Sequence, residues 1–146
     1  MFDVIKNIHG VIAYLFILFS IGSIAMAAWR YFQKENYSSS QLSLARFGFI
    51  FSHIQLLLGA FLWVMHGYAS LLSENAKAVM QDASMRKLIV EHPFTNIIAI
   101  AILTVGFISI KKTSEDHSKH IKTILFFGIS LLLILSRIPR YPWLGN

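Results

Sequence analysis

Cysteine is absent from this 146-residue chain. Its absence removes disulfides, thiolate metal sites, iron–sulfur clusters and cysteine nucleophiles in one step. Charge is also scarce: Asp, Glu, Lys and Arg together make up 14% of the residues, against about 25% in an ordinary soluble domain. No carboxylate pair, activated nucleophile or phosphate-binding glycine loop stands out, so ordinary hydrolase or kinase chemistry has no footing. What fills the chain instead is apolar: 55% of it is hydrophobic, with 12 Phe and 3 Trp. This composition reads as an integral membrane protein, and the length suits a single domain spanning residues 1–146.

The formal charge of +6 would suggest nucleic acid as the partner of a soluble protein. Here Lys and Arg fall in loops and at the ends of apolar runs, where positive charge fixes membrane topology. The reading is therefore a lipid bilayer as partner and no nucleic acid. The opening "MFDVIKNIHG" has neither the basic start nor the small-residue cleavage site of a signal peptide, and reads as the beginning of a retained first helix.

Four apolar segments approach the ~20 residues that a spanning helix needs: residues 8–32, 44–66, 92–111 and 120–138. Lipid cannot satisfy free backbone groups, so each should be a continuous helix. "QKENYSSSQ" and "KKTSEDHSKH" are short polar connections. Residues 67–91 are longer and carry "SENAKAVMQDASMRKLIV", whose helical spacing predicts a short interfacial helix. Pro93 then suits the first turn of the third span, where a missing N–H costs nothing. The expected fold is all-α: an integral membrane four-helix up-down bundle. Seven basic residues (Arg30, Lys34, Arg46, Lys111, Lys112, Lys119 and Lys122) fall at the end away from the termini, against six at the terminal end. The former sit in tighter loops beside the spans, which puts the termini on the outer side.

At 100° per residue, the second span shows one apolar half (Phe47, Ile50, Phe51, Ile54, Leu57, Leu58, Phe61 and Met65) and a narrow stripe of Gly48, Ser52, Gln55, Gly59 and His66. The first span aligns His9, Ala13, Phe16, Ser20, Ser23 and Ala27; the third aligns His92, Thr95, Asn96, Ala99, Leu103 and Gly106. The fourth aligns Thr123, Ser130 and Arg137. Small residues on these stripes let helices approach closely, and equally they leave a slot for a flat ligand.

Ionisable residues within spans are costly and normally face the bundle interior. His9, His66 and His92 lie near the terminal end on three different spans, and Arg137 arrives there on the fourth. Neutral imidazole ligates haem iron and other metals. In an up-down bundle the first and third spans are diagonal, so His9 and His92 are the favoured metal-ligating pair for a haem b. Arg137 or Arg140 would pair with its propionates. The plain alternative puts all of these groups among lipid headgroups. His66, next to Gly67 at a helix end, fits that alternative best, and His117 and His120 read as loop residues. His53, in the second span, would serve as a polar contact to a neighbouring helix, a proton relay, a quinone contact or an axial ligand. The ending "SRIPRYPWLGN", with Tyr141 and Trp143, suits the interface.

The motifs "IHG", "FSHIQLLLG", "EHPFTNIIAI" and "LLLILSRIP" together resemble a family of small bacterial four-helix membrane proteins catalogued as cytochrome B-like, over essentially the whole chain. The resemblance implies the bacterial inner membrane, haem, and roles for His9, His53 and His92, which lie inside the matching motifs, and for Arg137. His66 lies outside them. The chain lacks the paired histidines on each of two helices that a two-haem wire needs, so one haem is the most it supports. The leading expectation is a b-type haem protein passing electrons from a quinol or partner protein to an acceptor. A second is a haem-free accessory or assembly subunit of a larger membrane complex, respiratory or other, with histidines as polar glue. A third is a small membrane enzyme acting on a porphyrin or quinone.

Overall fold

The computed structural model describes residues 1–139, so Arg140, Tyr141 and Trp143 lie outside the described residues. The described chain is all-helical. α1 (Phe2–Phe32) and α2 (Ser39–Met65) are joined by a short loop, and α3 (Tyr68–Gln81) and α4 (Ala83–Arg86) follow. A π-helical turn at Lys87–Glu91 runs into α5 (His92–Lys112), and α6 (Asp116–Ser136) closes the described chain. Four helical segments are long and apolar enough to cross a membrane: Phe2–Phe32, Ser39–Met65, Ala83–Lys112 and Asp116–Ser136.

Each helix end has a local cause. Lys34 takes a left-handed backbone, φ 56°. Its N–H bonds the Tyr31 carbonyl while that of Glu35 bonds the Arg30 carbonyl. This is the double bond that terminates a helix with a left-handed residue just past its end, here Lys rather than the usual Gly. α2 opens with a capping box: Ser38 Oγ accepts from the Gln41 N–H at 3.3 Å, and Gln41 Oε1 accepts from the Ser38 N–H at 2.9 Å. Gly67, φ 70°, turns the chain out of α2.

The connection expected as one helix is broken. α3 leaves helical geometry at Asn75, with φ −131° and ψ 37°. Asp82 stops it and starts α4 by accepting the Met85 N–H at 2.8 Å. The π-helical turn has its cause in Pro93. An α-helix would bond the N–H of residue 93 to the Ile89 carbonyl, and proline has none to give. Trp63 Nε1 supplies the missing donor, reaching Ile89 O at 2.9 Å. Below this point α5 continues without interruption to Lys112.

α1 packs along α2 and α6, and α5 packs along α6 and α2. Between them sits one core of Phe16, Ala45, Leu103, Phe107, Ile110, Phe127 and Leu131. The small-residue stripes face it: Ala13, Phe16, Ser20, Ser23 and Ala27 of α1 are all buried, as are Gly48 and Ser52 of α2. Gly48 admits the Phe127 ring, for a Cβ there would stand 3.0 Å from Phe127 Cε1. Phe47, Ile54 and Phe61 of the apolar half are exposed. Leu58 is half-buried, and Phe51 leans on the core, so the outer face of α2 is narrower than its wheel suggests.

Candidate functional site

His9 lies on the inward stripe of α1 and brings its Nε2 to 3.0 Å from Gln55 Nε2 on α2. An amide nitrogen only donates, so His9 Nε2 accepts and Nδ1 carries the ring proton. Gly59 leaves room for the ring, since a Cβ there would stand 3.2 Å from His9 Cε1. His9 Nδ1 and Gln55 Oε1 are buried with no hydrogen-bond partner. One donor and one acceptor on the same bonded pair thus stay unsatisfied. Turning the amide over merely exchanges their roles.

His92 opens α5. Its Nδ1 donates to the Arg137 carbonyl oxygen at 3.0 Å, tying α5 to the cap of α6. The Asn96 amide lies against the ring, with Nδ2 3.2 Å from Nε2, and donates to the His92 carbonyl at 2.7 Å. Glu91, one residue earlier, holds two arginines. Arg86 Nε lies 2.9 Å from its Oε1, and Arg137 Nε lies 3.5 Å from its Oε2. The Arg137 guanidinium expected at an anionic ligand therefore meets a carboxylate of the chain itself.

His53 points to α5. Its Nδ1 donates to Phe49 O at 2.8 Å, within its own helix, and its Nε2 lies 3.3 Å from the Thr104 hydroxyl. The Thr104 hydroxyl donates to the Ile100 carbonyl at 2.7 Å, so the longer contact to His53 Nε2 competes for the same proton. His66 is exposed, with its ring centroid 4.2 Å from that of Phe2 and 4.9 Å from that of Tyr68.

The largest correction concerns His120, expected in a loop. It is 1% exposed. Its Nε2 donates to the Glu35 carbonyl at 3.0 Å and its Nδ1 accepts from Gln41 Nε2 at 3.2 Å. Beside it Tyr37 Oη lies 3.1 Å from Thr123 Oγ1, and burial raises the phenol's pKa above its ordinary value. The signal was in the sequence: His120 stands one turn before Thr123, on the stripe that continues to Ser130. His117 is exposed, its ring 4.5 Å from that of Tyr31.

Bis-imidazole ligation of a haem needs a lone pair from His9 and one from His92 facing the same iron. His92 has its Nδ1–H held by a carbonyl, which orients the ring, while its Nε2 is met by Asn96 Nδ2 at 3.2 Å. His9 Nε2 likewise accepts from an amide, that of Gln55, and its Nδ1 carries the proton. As the two rings stand, each Nε2 faces a side-chain amide nitrogen. Among the described residues no cluster of three or more His, Asp or Glu gathers as a metal site.

No protein family, curated protein or solved structure matches the chain.

Proposed function

We propose that the chain is a haem-free accessory or assembly subunit of a larger membrane complex. It would cross the bacterial inner membrane as an up-down-up-down bundle, with its termini outside and α3 along the interface. One observation carries this reading. His9, His92 and His120 each bond a group on a helix other than their own, or on that helix's flanking residues: Gln55 of α2, Arg137 at the end of α6, and Gln41 of α2, and His53 approaches Thr104 of α5 at 3.3 Å. Polar side chains of this kind hold apolar helices in register where lipid gives no hydrophobic drive for association. The large exposed side chains, such as Phe47, Leu57, Phe61, Val105 and Leu132, would meet lipid or spans of partner subunits.

A second reading keeps the b-type haem and electron transfer, as the cytochrome B-like resemblance implies. The orientation of His92 by the Arg137 carbonyl favours it. His92 would then hold the iron, and the haem would supply one-electron chemistry. This reading requires His9 to leave Gln55.

Native mass measurement of the tagged chain, extracted from its own membranes in mild detergent, tests the leading reading. A defined assembly with other subunits is expected; a chain that comes out only alone contradicts it. The absence of native cysteine gives a clean topology test. A thiol at Ser114→Cys should react from the cytoplasmic side and one at Ala76→Cys from the outside.

A further inference from the structure

The end of the molecule opposite His9 carries a groove that none of the histidine chemistry uses. It lies between α5 and α6, has a volume of about 400 Å³, and is lined by Val105, Ile108, Ser109, Lys112, Thr113 and Lys122. Its lining is graded along the helix axis. Val105 and Ile108, 60% and 45% exposed, form an apolar wall within the span. One to two turns further on stand two hydroxyls and two ammonium groups at the helix end.

Among the described residues neither lysine has an ion-pair partner. Asp116 pairs with Lys119 at 3.1 Å, and Glu115, which accepts from the Ser118 hydroxyl and keeps its charge, forms no ion pair with either groove lysine. Lys122 Nζ donates to Thr113 Oγ1 at 2.6 Å, which holds it at the groove, and Lys112 has no ion pair. Two cations with no ion-pair partner among the described residues therefore share one groove with the Ser109 hydroxyl, above an apolar wall that points into the bilayer; the Thr113 hydroxyl is engaged, donating to the Ser109 carbonyl at 2.8 Å and accepting from Lys122.

We propose that this groove binds one anionic phospholipid, its phosphate held by Lys112 and Lys122 with the Ser109 hydroxyl, and one acyl chain lying along Val105 and Ile108. The inference rests on the membrane-spanning reading but not on the subunit or haem readings. Charge complementarity selects an anionic over a zwitterionic headgroup, since the latter would bring a cation of its own to the two ammonium groups. The graded lining selects a lipid over a free anion, because only a lipid covers both halves of the groove.

Native mass spectrometry of the full chain in detergent provides the test, with phosphatidylglycerol, phosphatidylcholine or inorganic phosphate added. Phosphatidylglycerol should remain bound as a single adduct, and Lys112→Gln and Lys122→Gln should each weaken it about fivefold, the effect of one cation near an anionic surface. Lys112→Arg should retain it, and Lys34→Gln, in the loop after α1, should leave it unchanged. Ile108→Asp, which places a carboxylate on the apolar wall, should also expel the lipid. Equal retention of phosphatidylcholine overturns the proposal, as does phosphate binding as tightly as the lipid, or lipid adducts indifferent to both lysine substitutions. A chain that stays soluble without detergent fails the membrane reading itself, and that outcome is visible before any lipid is added.

Discussion

His120 Nδ1 lies 3.2 Å from Gln41 Nε2, and the two side chains are 1% and 2% exposed. One glutamine does two things here: its oxygen completes the capping box of α2 and its nitrogen holds the first turn of α6. The loop between α1 and α2 is fastened by the other face of the same imidazole, through the Glu35 carbonyl.

His120→Ala should be among the most destabilising single substitutions in the chain. It strands the buried Gln41 amide and releases the Glu35 carbonyl, for a loss of about 1–3 kcal/mol. Thermal unfolding in detergent measures it, with exposed His117→Ala as a control that should leave the midpoint unchanged.

Gly106 and Gly22 should respond oppositely to alanine. A Cβ at Gly106 would overlap Phe126 of α6, whereas one at Gly22 meets nothing within 4 Å. Gly106→Ala should cost roughly 1–3 kcal/mol through overpacking. Gly22→Ala should gain about 0.5–1 kcal/mol from the lower helix cost of alanine. The same unfolding assay reads both.

Much of this was legible in the sequence. The inward stripe of α1 was readable from its period alone, and all five residues from Ala13 to Ala27 on it are buried. The apolar half of α2 was less so, because Phe51 and Leu58 sit at the border where a helical wheel cannot say which neighbour reaches round. His120 was missed because a polar loop on one side outweighed the stripe on the other. The partners of His9 and His92 were not legible at all. Equal depth and an inward face are properties of one helix, but a hydrogen bond to Gln55 or to the Arg137 carbonyl depends on rotation of the neighbour. The break at Asn75 carries no local sequence signal, and Pro93, read as the start of the third span, instead lies inside a helical run from Ala83 to Lys112 that passes it by a π-helical turn.

Tyr37, in the loop between α1 and α2, gives a pH dependence with a definite sign. Burial raises its pKa above the ordinary 10.0, so the folded state holds the phenol proton more tightly than the unfolded chain does. The associated stability is fully present below pH 10 and is lost as the pH rises through the folded value. Tyr37→Phe should therefore show a smaller fall in unfolding midpoint between neutral pH and pH ~11 than the parent. An identical fall in both would remove Tyr37 from the account.

Glu91 should matter little to stability despite its two arginines. All three side chains are about a third or more exposed, and such pairs contribute roughly 0–1 kcal/mol. Glu91→Gln should lower the unfolding midpoint slightly at low salt, and the difference should vanish at high salt.

In the proposed function the histidines link helices and do not ligate iron. The most direct measurement is the reduced-minus-oxidised absorption spectrum of the detergent-purified chain, expressed in haem-replete cells and then titrated with haem. The account predicts no Soret band and no α or β bands at any step. A low-spin spectrum at one haem per chain, abolished by His92→Ala and by His9→Ala but retained in His66→Ala, would contradict it.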